Sequence, residues 1–193
     1  MRTRLLLPAL ALLLLAVVGH ADYLPEPTTR DFYSPDGACR LRVAPTQRDL
    51  RITLARKALG QYRRSWTTSV HMALFPTKAV VAHDGTFAAL FSGYVRRART
   101  ANAILVFDQR GAVIRAVALT ELFTPTELSS LSTVSGYDWL LSASLTLQPA
   151  PVLHVSGGNR FLPTPSPGVL SDPSFLPEVR FRIALPSGPL TRE

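Results

Sequence analysis

Outside its apolar N-terminus the chain carries three histidines, His71, His83 and His154, and a single cysteine, Cys39. Zinc sites are built from ligands at spacings such as His-x-x-x-His or paired Cys-x-x-Cys, and neither pattern occurs. The Asp-x-Asp-x-Asp-Gly calcium loop is also missing. Ser156 follows His154 by two residues and precedes Gly157-Gly158. In a strand that spacing turns both side chains the same way, but a serine nucleophile needs a base oriented by a third group, and no Gly-x-Ser-x-Gly elbow is present. Gly157-Gly158 runs into Asn159-Arg160 and a Pro-rich stretch, not into a phosphate-cradling loop. No cofactor and no metal are expected. Asp36 and Asp84 each precede a glycine, where a carboxylate accepts backbone N–H groups and the glycine takes positive φ. Asp36, Gly37, Asp84 and Gly85 are therefore expected as structural turn residues, together with Gly111. A lone Cys39 among alternating apolar residues is expected as a small core residue, not a nucleophile.

The basic residues offer a more specific chemistry. The chain has 21 Lys and Arg against 13 Asp and Glu. Only Lys57 and Lys78 are lysines. Arg40, Arg42, Arg51, Arg180 and Arg182 fall on the polar sides of alternating segments, and Arg96, Arg97 and Arg99 lie in a polar loop that could extend them. Should the strands that carry them share one sheet, they form an Arg-rich face. Guanidinium forks take carboxylate or phosphate bidentately, so such a face fits an acidic polysaccharide, a lipid headgroup or an acidic protein. A solvated sheet face and an Arg-rich base composition account for the same residues without a ligand. Nucleic acid is the weaker fit, because aromatic residues are not interleaved with the arginines.

These residues must be held by short strands. Cys39, Leu41 and Val43 alternate with Arg40 and Arg42 after the Ser34-Pro35-Asp36-Gly37 turn, and Leu50, Ile52 and Leu54 alternate with Arg51 and Thr53. Gly60 and Arg63-Arg64 suggest a loop over 55–64. Strands are expected from Trp66 to Leu74, over 79–82 and from Thr86 to Phe91, the last two joined by His83-Asp84-Gly85, an Asp-Gly hairpin signal. Residues 103–107 and 112–119 are apolar almost throughout, which implies central strands covered on both faces. Thr124, Pro125 and Glu127 form a capping box for one short helix ending near Leu131. Further strands follow over 139–147, 152–155 and 179–185. The count is nine or ten strands. A mainly β domain results: an antiparallel sandwich, a barrel or a partial-propeller-like arrangement with one short helix.

With 193 residues and a mean hydropathy of +0.16, the chain suits a single folded domain. Arg2 and Arg4, the apolar run from Leu5 to Val18, and Gly19-His20-Ala21 have the layout of a secretory signal peptide over 1–21. Export to the periplasm or the medium is expected, with no transmembrane anchor in the mature chain. That chain would keep 19 Lys and Arg against 13 acids, a net of +6. Residues 22–31 are expected as an extended arm and 32–186 as the β-rich domain. Within that domain 156–177 is expected as a Pro- and Gly-rich loop, and 187–193 as a frayed tail.

The order Ser34-Pro35-Asp36-Gly37 with Cys39 to Val43, Trp66, Pro76, Val80 to Gly85, Ala103 to Phe107, Gly111 and Leu119 to Leu122 is similar to an uncharacterised family of secreted bacterial β-rich proteins with propeller-like hairpins. The resemblance covers about residues 32–145, and it implies a β fold but no activity. Gly93 to Arg99 departs from the Gly- and aromatic-containing loop of that family. The function expected is a non-enzymatic exported domain that binds an anionic envelope component or a protein partner. The alternative is a hydrolase with an unrecognised site, which an acid clustered with His83 and His71 in one concave pocket would favour.

Overall fold

The computed structural model describes residues 27–72, 75–96, 101–131, 136–158, 176 and 178–193. The leader over 1–21 and the first half of the arm, 22–26, lie outside them. The first sheet is a meander of β1 (Arg30–Tyr33), β2 (Cys39–Pro45), β3 (Leu50–Ala58) and β4 (Gln61–Val70). Arg30 and Asp31, at the end of the expected arm, thus belong to β1. The second sheet has the order β5 (Lys78–Val81), β6 (Ala88–Phe91), β8 (Ile104–Phe107) and β9 (Val113–Val117). Between β6 and β8 the chain makes β7 (Tyr94–Arg96), which pairs outside the sheet with β10 (Gly136–Asp138). The third sheet is again a meander, β11 (Leu140–Thr146), β12 (Val152–Gly157), β13 (Val179–Ala184) and β14 (Leu190–Arg192). Every pairing is antiparallel, and none of the three sheets closes into a barrel.

Side-chain alternation decides how the sheets stack. In β6 and β8 every residue is buried. Ala88, Leu90, Leu105 and Phe107 enter a core shared with Leu41, Ile52, Leu54 and Trp66 of the first sheet. Ala89, Phe91, Ile104 and Val106 point the other way, into a core with Leu153, Val155, Phe181 and Ile183 of the third. The second sheet is therefore the middle layer, and an apolar run without alternation is what two covered faces require. The first and third sheets are amphipathic: buried Cys39, Leu41 and Val43 alternate with more exposed Arg40 and Arg42 in β2, and buried Val179, Phe181 and Ile183 with exposed Arg180 and Arg182 in β13. Their polar faces look outward at the two ends of the stack. The edge strands β1, β5 and β11 come together along one side of it.

Several expectations need correction. Residues 55–64 are not a loop, because β3 and β4 run through them and are joined by Leu59-Gly60 alone. Both turn residues have positive φ, 51° and 78°, the geometry of a tight hairpin, but leucine is an unusual occupant and hides the signal. The segment 112–119 is not a doubly covered strand: β9 is the outer edge of its sheet and Val113 is 43% exposed. The described residues contain two short helices where one was expected, α1 (Leu119–Leu122) and α2 (Pro125–Ser130). Fourteen strands, not nine or ten, make up the described fold, and Leu190–Arg192 pairs with β13 rather than fraying. Of the loop expected over 156–177, Ser156 and Gly157 belong to β12, Leu176 is buried, and most of the remainder lies outside the described residues.

Candidate functional site

The outward face of the first sheet is built by strict alternation in four strands. β1 presents Asp31 and Tyr33, β2 presents Arg40 and Arg42, β3 presents Arg51, Thr53 and Lys57, and β4 presents Tyr62, Arg64 and Thr67. A bulge at Ser65 shifts the β4 register, so that Leu54 faces Trp66 while Ala55 faces Arg64. That slip keeps Trp66 in the core and turns Tyr62 and Arg64 outward.

Contacts on this face give it order. Arg42 donates from Nε and Nη2 to the two oxygens of Asp31, at 2.8 and 2.9 Å. Arg40 brings Nη1 to 3.9 Å from the same carboxylate. The Arg42 hydrogen bond, outweighing partial burial and helped by the charges of both arginines, holds the Asp31 carboxyl below its ordinary range. The Arg40 guanidinium also lies over the Tyr62 ring, 4.8 Å from its centroid, and the Tyr62 hydroxyl donates to the Gly37 carbonyl at 2.7 Å. Tyr33 and Tyr62 tilt together with centroids 6.1 Å apart, and Tyr33 remains 53% exposed. Arg51, Lys57 and Arg64 are exposed and have no ion-pair partner among the described residues. The face thus holds five cations against one carboxylate, with an open aromatic ring beside them.

The expected arginines do not all meet here. Arg40, Arg42 and Arg51 are on this face. Arg180 and Arg182 are in β13, on the outward face of the third sheet at the far end of the stack, where Glu178 pairs with Arg180 at 3.3 Å and Glu193 with Arg182 at 3.4 Å. Arg96 lies in β7, and Arg97 and Arg99 lie outside the described residues. Sequence reasoning missed Lys57, Arg64, Tyr33 and Tyr62. The first, second and fourth of these stand in or beside the misread hairpin, and a two-residue Leu-Gly turn between alternating segments was the available clue.

Asp36, Asp84 and Asp108 each sit in a turn. Asp36 accepts from Ser34 Oγ at 2.6 Å and the Ala38 N–H at 3.0 Å. These bonds, Ser34 foremost, hold its carboxyl low. Asp84 accepts from the Thr86 N–H and hydroxyl at 3.0 and 2.7 Å, which together outweigh its desolvation and lower it as well. A third member, Asp108, accepts from the N–H groups of Arg110 and Ala112 at 2.8 and 2.9 Å. Gly37, Gly85 and Gly111 complete the three turns with positive φ. Cys39 is buried against the His83 carbonyl, Sγ to O 3.4 Å, and burial pushes its thiol up, away from the reactive thiolate.

Two concave regions are lined by described residues. A cleft of about 430 Å³ lies where β1, β5 and β11 meet, lined by Tyr33, Asp36, Lys78, His83, Ser144 and Leu145 among others. It joins an acid to His83 but not to His71, whose Nδ1 stands 3.5 Å from Asp49 on the exposed end of β4. Ser156 shares a 2.7 Å hydroxyl contact with Ser142 and not with His154. Among the described residues no three His, Cys, Asp or Glu side chains gather as metal ligands. An open groove of about 460 Å³ runs between α1, the start of α2 and the third sheet, floored by Leu122, Phe123, Phe181 and Leu190. Beside it Arg192 pairs with Glu127, whose carboxylate also closes the capping box of α2 by accepting from the Thr124 N–H and hydroxyl. Arg192 first, then Thr124, hold the Glu127 carboxyl down at about 2 against its desolvation.

No family model matches the chain, and no curated protein matches it. Among solved structures it is similar to one described as Kuenenia stuttgartiensis hydrazine synthase, at 12% identity and a TM-score of 0.38, over 83% of this chain and 40% of that one. It is also similar to one described as a eukaryotic initiation factor, at 10% identity and a TM-score of 0.35, over 88% of this chain and 45% of that one. The chain spans less than half the length of either.

Proposed function

We propose that this protein is a non-enzymatic binding domain, exported to the periplasm or the medium, that holds an acidic polysaccharide of the cell envelope on the outward face of its first sheet. We read the three four-stranded sheets as blades of a partial propeller, with β1, β5 and β11 as the inner strands. The observation that carries the binding proposal is the imbalance on that face: Arg40, Arg42, Arg51, Lys57 and Arg64 around a single carboxylate. A sheet spaces neighbouring strands about 4.8 Å apart and same-face residues about 6.6 Å apart along a strand, so the cations form a grid that a polymer of regularly spaced carboxylates can follow. Arginine predominates, and its fork matches a carboxylate better than an ammonium does. Tyr33 supplies an exposed ring on which the apolar side of a sugar can stack.

The hydrolase alternative has less support, since the acid that lines the cleft with His83 is Asp36, whose Oδ1 is engaged in its own turn by Ser34 and Ala38. The direct test is retention on immobilised polygalacturonate compared with uncharged dextran. Retention on the acidic polymer that weakens as salt shortens the Debye length from about 14 Å to about 4 Å, with none on dextran, supports the proposal. Equal retention on both, or retention indifferent to salt, contradicts it.

A further inference from the structure

The cleft between β1, β5 and β11 borders the polymer-binding face, shares Tyr33 with it, and has the composition of a small-molecule site. Its volume of about 430 Å³ falls within the range of small-ligand pockets. Much of its wall is aliphatic, from Ala79, Val80, Ala143, Leu145 and Leu147. Three polar residues line it with no hydrogen-bond or ion-pair partner for their side chains among the described residues: Lys78, Ser144 and Tyr33. Among the described lining residues Asp36 is the only carboxylate, and its Oδ1 accepts from both Ser34 and Ala38 at the His83 end. Lys78 opens β5 and His83 lies two residues beyond its last residue, Val81, so the strand between them spans about 10 Å. The cation and the engaged acid therefore stand at opposite ends of the cleft. An unpartnered ammonium beside a largely aliphatic wall favours a ligand with one negative charge and an apolar body.

We propose that this cleft binds a small aliphatic carboxylate, its carboxylate on Lys78 and its chain along the aliphatic wall toward Leu145 and Leu147. Hexanoate and its neutral counterpart hexanamide are the probes. They are titrated into the ¹⁵N-labelled full chain and followed by amide chemical shifts. Hexanoate is expected to shift the amides of 78–83 and 143–147, with hexanamide about tenfold weaker. Lys78→Met, which keeps the apolar stem, is expected to weaken hexanoate by about tenfold, and Lys78→Arg to restore most of the affinity. Lys57→Met, on the polymer-binding face, is expected to leave hexanoate binding unchanged, which separates this site from that face. The amide spectrum of each variant reports its folding in the same experiment. Shifts equal for hexanoate and hexanamide, shifts outside these segments, no shifts at millimolar hexanoate, or full binding by folded Lys78→Met would each overturn the proposal.

Discussion

Across the β1–β2 pair, Arg42 grips both oxygens of Asp31, and this carboxylate is what offsets the cations of the first sheet's outward face. The pair is partly exposed, so its value to stability is small. Its value to charge is larger. Replacing Asp31 with Asn frees both Arg40 and Arg42 for an external anion. Asp31→Asn is therefore expected to bind polygalacturonate several-fold more tightly while its thermal midpoint stays close to that of the parent. Weaker binding by a folded Asp31→Asn would show that Asp31 organises the arginines and does not compete for them.

The Glu127–Arg192 pair ties α2 to the last strand and sets a pH dependence. The Glu127 carboxyl lies at about 2, below its ordinary 4.5. A carboxyl depressed in the folded state stabilises fully above its unfolded value and loses that contribution as pH falls through the folded one. The contribution is thus present at neutral pH and disappears between about pH 4.5 and about pH 2. The shift bounds it at about 3 kcal/mol, and solvent around the half-exposed Arg192 reduces it further. Thermal midpoints of the parent and Glu127→Gln should differ most at neutral pH and converge toward pH 2. A gap that stays constant with pH would remove the ion pair as its cause.

Two glycines with similar backbones should respond differently to alanine. Gly60 has φ +78° with open space around a built Cβ, so Gly60→Ala incurs only the left-handed backbone penalty, about 1 kcal/mol. Gly111 has φ +82°, and a Cβ there would sit 2.7 Å from the Trp66 ring, which stacks on Phe107 in the core. Gly111→Ala should cost more than about 2 kcal/mol and alter tryptophan fluorescence. Equal losses at both positions would mean that the Trp66 contact gives way without strain.

Much of this architecture was legible in the sequence where one physical rule acted alone. Alternation in Cys39–Val43 and Leu50–Leu54, the Asp84-Gly85 turn and the Thr124–Glu127 capping box all stand as expected. The unbroken apolar run at 104–107 marked a doubly covered strand. The same rule failed at β9, because an apolar run does not reveal whether its strand ends up at the rim of a sheet. The arginine face was legible strand by strand but not as a whole. Whether β13 neighbours β2 depends on sheet order, which alternation does not encode, and β13 belongs to another sheet. Lys57, Tyr62 and Arg64 were hidden because Leu59 occupies a positive-φ turn position that usually announces itself with Asn, Asp or Gly.

Neighbouring residues of the middle sheet serve separate cores. Leu105 points to the first sheet and Ile104 to the third. Leu105→Ala should cost about 2–5 kcal/mol and Ile104→Val about 0.5–1.5 kcal/mol. Because the two side chains leave the strand in opposite directions, the double variant should lose their sum within about 0.5 kcal/mol in urea unfolding. A much larger departure from additivity would indicate that the cores share more than the strand between them.

Charge reversal compares the two ends of the stack directly. Arg51→Glu with Arg64→Glu alters the first sheet's outward face, and Arg180→Glu with Arg182→Glu alters the third sheet's by the same formal charge. If the first sheet holds the ligand, the first pair abolishes retention on polygalacturonate at low salt and the second leaves most of it. Equal loss from both pairs would reduce the binding to net charge, and loss from the second pair alone would place it on the opposite face.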